Sequence, residues 1–269
     1  MDIEVKNMRG GVERSCSKGF RHITPRIFRR SAGLTLVEVL ITIGIVAVVA
    51  VMVIPNLKKA VDASVYRAQF KKTIAVLNHA GEMAHAIANT NWGLTSQKCP
   101  DDLTKISTQS LEKGDNNVCA IFNSTIKGVK FLGLTKDLQD KYNPKHGQAS
   151  GVISFFDAYR TLNQNFLIFQ MPNGVIIAVN KNFVSSRIPD GKDLRQFSQH
   201  DNGRVNNAGF IDVNGFEKPN TEVVCSGNNI DTCVVDNGHY MGDIFPILMH
   251  DGVVSPLGPA SAYVFEKMK

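Results

Sequence analysis

Residues 34–54 read LTLVEVLITIGIVAVVAVMVI, an apolar run of 21 positions whose polar members are Thr35, Glu38 and Thr42, and Pro55-Asn56 closes it. At 1.5 Å rise per residue a helix of that length covers about 30 Å, the thickness of a bilayer's hydrocarbon core. After Pro55 the pattern becomes amphipathic. Leu57, Val61, Val65 and Ala68, then Phe70, Ile74, Leu77, Gly81, Ala84 and Ala88, fall at steps of three and four, with Lys58, Lys59, Asp62, Arg67, Lys71 and Lys72 between them. The pattern predicts one continuous helix from Leu34 to about Ala88, roughly 80 Å long, half in lipid and half serving as a spine. Pro55 removes a backbone donor and is expected to kink the helix near the membrane exit. Asn89-Thr90-Asn91-Trp92-Gly93 is expected to end it.

Beyond Gly93, short apolar runs alternate with turn residues, the pattern of an antiparallel, mostly β head. Strands are predicted over 118–122, 129–132, 152–156, 166–171, 175–179, 210–213, 244–249 and 253–254. Pro172-Asn173-Gly174 and His250-Asp251-Gly252 are hairpin signals, and the polar stretch 185–207 reads as a long loop. The amphipathic helix must bury its face on something, so the fold class is α+β, a long N-terminal helix packed on a sheet. The expected divisions are a basic leader (1–33), a transmembrane and assembly segment (34–55), a helical spine (56–92) and a head (93–269).

Composition changes this picture little: 43% apolar and 20% charged residues describe a globular chain with room for one or two domains. Charge changes it more. Residues 1–33 hold eight Lys or Arg against three acids, a net of +5, so the remainder carries only +1 of the total +6. The basic character therefore lies where a positive-inside orientation signal belongs, and nucleic-acid binding is not expected.

Glu38 is the anomaly. A carboxylate at membrane depth costs on the order of 2.5–3.5 kcal/mol, and no Lys, Arg or His occurs in 34–54 to offset it. The run is longer than the apolar region of about 7–15 residues in a cleavable secretory signal, and the small residues Ser31-Ala32-Gly33 precede it. A cut after Gly33 would leave the anchor on the mature chain and create an α-amino group on Leu34, a cation at the same depth. The plainer readings are a signal anchor and a Glu38 that snorkels toward headgroups.

Gly33, then Leu34-Thr35-Leu36-Val37-Glu38, the apolar run and Pro55-Asn56-Leu57, resemble the signal of type IV prepilins and type II secretion pseudopilins. The resemblance covers roughly residues 30–57 and departs from the family pattern at Leu34, where Phe is usual, and in the length of the leader. It implies a pilin-like lollipop and cleavage after Gly33 by a prepilin peptidase. It also implies N-methylation of Leu34, and a Glu38 that meets another subunit's amino terminus during filament assembly. The function it implies is a structural subunit of a type II secretion pseudopilus, with a type IV or competence pilus subunit as the alternative. The expected partners are the peptidase, other pilin or pseudopilin subunits, the inner-membrane assembly platform and the membrane. The leader would be cytoplasmic and the head extracytoplasmic, the chain leaving the bacterial inner membrane on assembly. A membrane-anchored binding protein or hydrolase is the rival from another class.

Cys16 would leave with the leader. Cys99, Cys119, Cys225 and Cys233 then allow three connectivities, of which the local one, Cys99–Cys119 and Cys225–Cys233, is expected over unpaired thiols. Neither pair has zinc-ligand spacing. His79 and His85 are six residues apart and diverge by about 120° on a helix, unlike an i, i+4 metal pair. No nucleophile elbow, phosphate loop or dinucleotide fingerprint is present, so no enzyme is expected. Asp212, Asn214 and the later Asp243 carry hard oxygens of the kind calcium takes, without a full EF-hand loop. Major pseudopilins, which the chain resembles, carry calcium in the head; read on its own, the stretch is a strand ending in an Asx turn. No cofactor is required, and calcium is the one metal to test.

Overall fold

A computed structural model describes residues 35–100, 102, 106–147, 155, 166–183, 207–227, 229–235 and 241–268. The leader with Cys16, Gly33 and Leu34, the predicted strand 152–156 apart from Phe155, and the predicted loop 185–207 apart from Asn207 lie outside them. The chain divides into one unit ending at Val48 and another from Val49 onward.

Helix α1 runs Leu36–Ala88, 53 residues passing through Pro55. Thr35 caps its start: the hydroxyl accepts from Glu38 N–H at 3.2 Å and the carbonyl from Val39 N–H at 3.1 Å. Asn89, with φ 51°, ends it by entering the left-handed region. Within the second unit, Ala63, Phe70, Ile74, Leu77, Ala80 and Ala84 are buried, whereas Leu57, Val61 and Val65 are exposed. This corrects the single stripe read from the sequence. Between Ala68 and Phe70 the step is two residues, about 200° of helix rotation, so the two apolar series lie on different faces.

The buried face of α1 packs on a six-stranded sheet in meander order. Its strands are β1 (Lys130–Leu134), β2 (Phe166–Gln170), β3 (Ile176–Asn180), β4 (Ala208–Asp212), β5 (Ile244–His250) and β6 (Val253–Pro256). All neighbours are antiparallel. Strands β2 to β5 read as near-continuous apolar runs because both faces of the sheet are covered. One face contributes Phe169, Ile177, Ile211, Phe245 and Ile247 to the core that includes α1, where Phe70 stacks on Phe245 at 4.3 Å. The other contributes Phe166, Ile168, Ala178, Phe210 and Leu248 to a second cluster with Tyr142, Phe155 and Leu257. The β5–β6 hairpin turns through Asp251 (φ 43°) and Gly252 (φ 84°), the mirror-image turn that an Asp-Gly pair favours.

Two elements differ from the sequence reading. Residues 118–122, expected as a strand, form the start of helix α2 (Val118–Thr125), with Asn117 Oδ1 accepting from Ala120 N–H at 2.9 Å. Val118 to Phe122 are all buried, so the apolar run carries no period that separates a buried helix from a buried strand. A C-terminal helix α3 (Pro259–Glu266) also joins the core. Its signal is Pro259 in the first turn, a position Pro favours.

Trp92, fully buried just after α1, ties that helix to α2. Its indole N–H donates to Leu77 carbonyl at 3.1 Å, and its ring lies 5.4 Å from Phe122. The approach is close enough to require Gly81, where a Cβ would stand 2.7 Å from the indole nitrogen and 2.8 Å from Gly252 carbonyl.

Candidate functional site

The first candidate is the apolar start of α1. Leu36–Pro55 is the one described helix long and apolar enough to cross a membrane, and none of it is buried by the rest of the chain. Leu36 is 77% exposed and Val51 74%. Twenty residues of this kind demand cover, by lipid or by other chains. Glu38 sits in the first turn, three residues after its cap. The Thr-x-x-Glu spacing is that of a capping box, and a carboxylate there also meets the positive end of the helix dipole. Among the described residues no basic group pairs with this carboxylate. The capping pattern is a signal that the membrane reading of Glu38 passed over. Gly33 and Leu34 lie just before the first described residue, Thr35.

The second candidate lies in the head, where the connection after β4 folds back on Asp212 and Asp243. The structure brings together all three residues singled out as oxygen ligands, and adds four that sequence spacing did not single out: Tyr66, Tyr142, Asn220 and Thr221. Asp212 Oδ1 accepts from Gly215 N–H at 3.0 Å and Oδ2 from the Tyr142 hydroxyl at 2.9 Å. Asp243 Oδ2 accepts from Asn220 N–H at 2.8 Å and Oδ1 from Thr221 N–H at 2.6 Å. Asn214 Nδ2 donates to the Tyr66 hydroxyl and to Lys218 carbonyl, both at 3.3 Å, while its Oδ1 is buried without a hydrogen-bond partner. The Asn220 side-chain amide donates to Glu217 carbonyl at 2.8 Å, Gly215 carbonyl at 2.9 Å and Asp212 Oδ2 at 3.2 Å, the orientation that its three oxygen neighbours require.

Both carboxylates are fully buried, and no basic side chain pairs with either among the described residues. Burial, and then the charge of Asp243, hold the Asp212 carboxyl well above the ordinary carboxylate range. Burial also raises Asp243, against the pull of the N–H groups of Thr221 and Asn220. Tyr142 is pushed up by burial and then by Asp212, and Tyr66 is pushed up to about 12 by burial and then by Asp243. The two carboxyls are thus buried side by side, and backbone N–H groups and a phenol hydroxyl satisfy their oxygens.

The remaining candidates are structural or dispersed. Disulfides join Cys99 to Cys119, with Cα atoms 5.7 Å apart, and Cys225 to Cys233, at 5.3 Å. His79 and His85 are both exposed on α1, and His79 lies 3.6 Å from Glu82. On the β5–β6 hairpin, His250 Nε2 stands 2.8 Å from Ser255 Oγ and Nδ1 3.2 Å from Asp251 Oδ2. That trio resembles a hydrolytic relay in connectivity alone. Its Asp251 is 76% exposed, and a small cavity in the head is lined by other residues, Phe155, Glu222, Pro246, Leu257 and Ser261 among them.

A family model described as the prokaryotic N-terminal methylation motif matches residues 28–54. No curated protein and no solved structure matches the chain. The matched stretch takes in Gly33, Leu34, Glu38 and the apolar run, so the chain carries the prepilin-type cleavage and methylation signal; the head lies outside the match.

Proposed function

We propose that this prepilin-type protein is a structural subunit of a helical filament built on an inner-membrane platform, with a type II secretion pseudopilus as the first assignment. In this reading residues 1–33 stay cytoplasmic until a prepilin peptidase cuts after Gly33, and Leu34 becomes the methylated first residue. The segment 34–55 then anchors the subunit and afterwards packs in the filament, while 56–92 forms the spine and 93–269 the exposed head. Glu38 meets the new α-amino group of a neighbouring subunit, and the protein works by assembly rather than by catalysis.

The observation that carries the reading is a coincidence in one segment. The methylation motif falls on the same residues that form a helix wholly uncovered by its own chain. Apolar exposure continues past Pro55 through Leu57, Val61 and Val65, on a face that the sheet does not use. A lipid anchor alone needs no such continuation, whereas a subunit whose helix packs among others does. The two disulfides suit an oxidising, extracytoplasmic setting for the head.

The test is a photocrosslinking residue in place of Val46, introduced in cells that hold the assembly machinery. A covalent adduct with another pilin-like subunit is expected; a chain that remains monomeric, with no protein adduct, contradicts the filament reading. Deleting the gene then sorts the machines. Lost protein release with surface fibres intact supports the pseudopilus, and lost fibres support the pilus.

A further inference from the structure

We propose that the first turn of α1 beyond Pro55 is a docking surface for anionic phospholipid headgroups, with Lys58, next to Lys59 in the chain, as the cation that meets lipid phosphate. The proposal rests on the reading of 34–55 as a membrane anchor, and it names what the far end of that anchor touches.

Three observations lead here. The first is depth. Leu36–Pro55 is apolar and uncovered by its own chain, and a bilayer of about 40–45 Å with a core of about 30 Å leaves about 5–8 Å for each headgroup layer. At 1.5 Å per residue, Lys58 and Lys59 stand about 4.5 and 6 Å beyond Pro55 along the helix, within that layer. Arg67, Lys71 and Lys72 stand about 18–26 Å beyond it, past the layer. The second is charge without a partner. Asp62 is the one acid in 56–72, against five Lys or Arg. Lys58 is exposed, and no carboxylate lies within ion-pair distance of it among the described residues. Lys71, by contrast, is engaged by its own chain, its ammonium 5.6 Å from the centre of the Phe265 ring. The third is orientation. Lys and Arg close to a span favour the cytoplasmic side, yet residues 14–33 hold six of them and residues 56–75 hold five. The five nearly cancel the signal of the leader, so their charge stands against the insertion preference and calls for a counter-charge on the far side.

The rival occupant is an acidic face of a neighbouring subunit. A second copy at the same depth offers the same residues, five cations against Asp62 over 56–72, and so repels rather than pairs. Lipid phosphate surrounds every lone subunit at this depth, and a lysine close to an anionic membrane surface gains about fivefold in affinity. Lysine also suits the place. Leu57 and Val61 are exposed on either side of Lys58 in the chain, apolar surface along which a lysine stem can lie while its ammonium reaches the phosphate.

The experiment uses the chain purified from native membranes and reconstituted in phosphatidylcholine vesicles that carry a trace of spin-labelled phosphatidylglycerol or spin-labelled phosphatidylcholine. Electron paramagnetic resonance reads the fraction of each lipid held at the protein. At low salt the wild type is expected to hold phosphatidylglycerol at least about threefold better than phosphatidylcholine, and about 0.5 M sodium chloride to remove most of that preference. Lys58→Gln is expected to lower it at least about twofold, and the double variant with Lys59→Gln further; any leader still present contributes equally to all the chains. Lys72→Gln, exposed but past the headgroup layer, is expected to keep the wild-type value. Equal retention of the two lipids by the wild type overturns the proposal, as does a double variant that keeps the preference or a Lys72→Gln chain that loses as much as Lys58→Gln. Unchanged lipid retention by Lys58→Gln, with lost incorporation into filaments in cells, assigns the lysine to a protein neighbour and overturns it likewise. The vesicles are first floated on a density step. A chain that does not float refutes the anchor reading, whereas a chain that floats without preferring phosphatidylglycerol refutes the headgroup site alone.

Discussion

Glu38→Val is expected to leave removal of residues 1–33 intact and to cut incorporation into filaments by more than about tenfold, since a hydrogen bond to a charged group contributes about 1.5–3 kcal/mol. The expectation follows from two facts about one turn of helix. The run 34–54 contains no basic side chain, and cleavage after Gly33 would supply the missing cation as an α-amino group. The same turn suggests a purely local role, because Thr35 and Glu38 have capping-box spacing and the Thr35 hydroxyl already accepts from Glu38 N–H. Glu38→Gln separates the two roles, since Gln keeps the capping pattern and loses the charge. If pairing is the role, Gln fails to assemble as Val does; an efficiently assembling Gln variant contradicts it. Thr35→Val, which removes the cap at a cost of about 1 kcal/mol and keeps the acid, is expected to assemble nearly as the wild type.

Removal of the Cys99–Cys119 disulfide by double replacement with Ala is expected to lower head stability by about 3 kcal/mol, from the chain entropy that a bridge of this span withholds from the unfolded state. For a chain of this size that corresponds to about 6–12 °C in unfolding temperature, read by circular dichroism of the processed protein. The bridge matters because of where it lands. Cys119 sits in the first turn of α2, among the buried residues that carry Phe122 against Phe169 at 4.5 Å and against Trp92. Losing it frees the segment from 99 to 119 and loosens the clamp that Trp92 makes on α1. The Cys225–Cys233 bridge closes a shorter span, and its removal should cost less, about 2.5 kcal/mol by the same reasoning. An unfolding temperature unchanged by the first replacement would show that α2 is held by packing alone.

Much of the fold can be read from local pattern, and the exceptions have physical causes. The long helix announces itself because an unbroken apolar run and a 3.6-residue period are both strong signals, and its end at Asn89 is marked by a run of poor helix formers. The hairpins at Asn173-Gly174 and Asp251-Gly252 are legible because their turns need positive φ. Residues 118–122 mislead because burial on every side erases the period that separates a helix from a strand. The stripe through Leu57, Val61, Val65 and Ala68 misleads in another way: its spacing is helical, but spacing alone does not say which of two apolar faces the sheet will cover.

The head cluster shows the same boundary. Asp212 and Asn214 stand out in the sequence because Asp-x-Asn-Gly is a local motif, and Asp243 shares their chemistry. Tyr142 and Tyr66 do not stand out. They reach Asp212 and Asn214 from 70 and 148 residues away, contacts that exist only once the sheet and α1 have come together. Asn220 had a weak local cue, as an Asn following Pro219 in a Gly-containing loop, but the hydrogen bonds of its amide to Glu217, Gly215 and Asp212 exist only in the folded loop.

The proposal rests most directly on where the mature chain begins. Mass spectrometry of the protein purified from native membranes should find Leu34 as the first residue, bearing one methyl group on its nitrogen. A chain that retains residues 1–33 would contradict the account, because the amino group offered to Glu38 would never have formed.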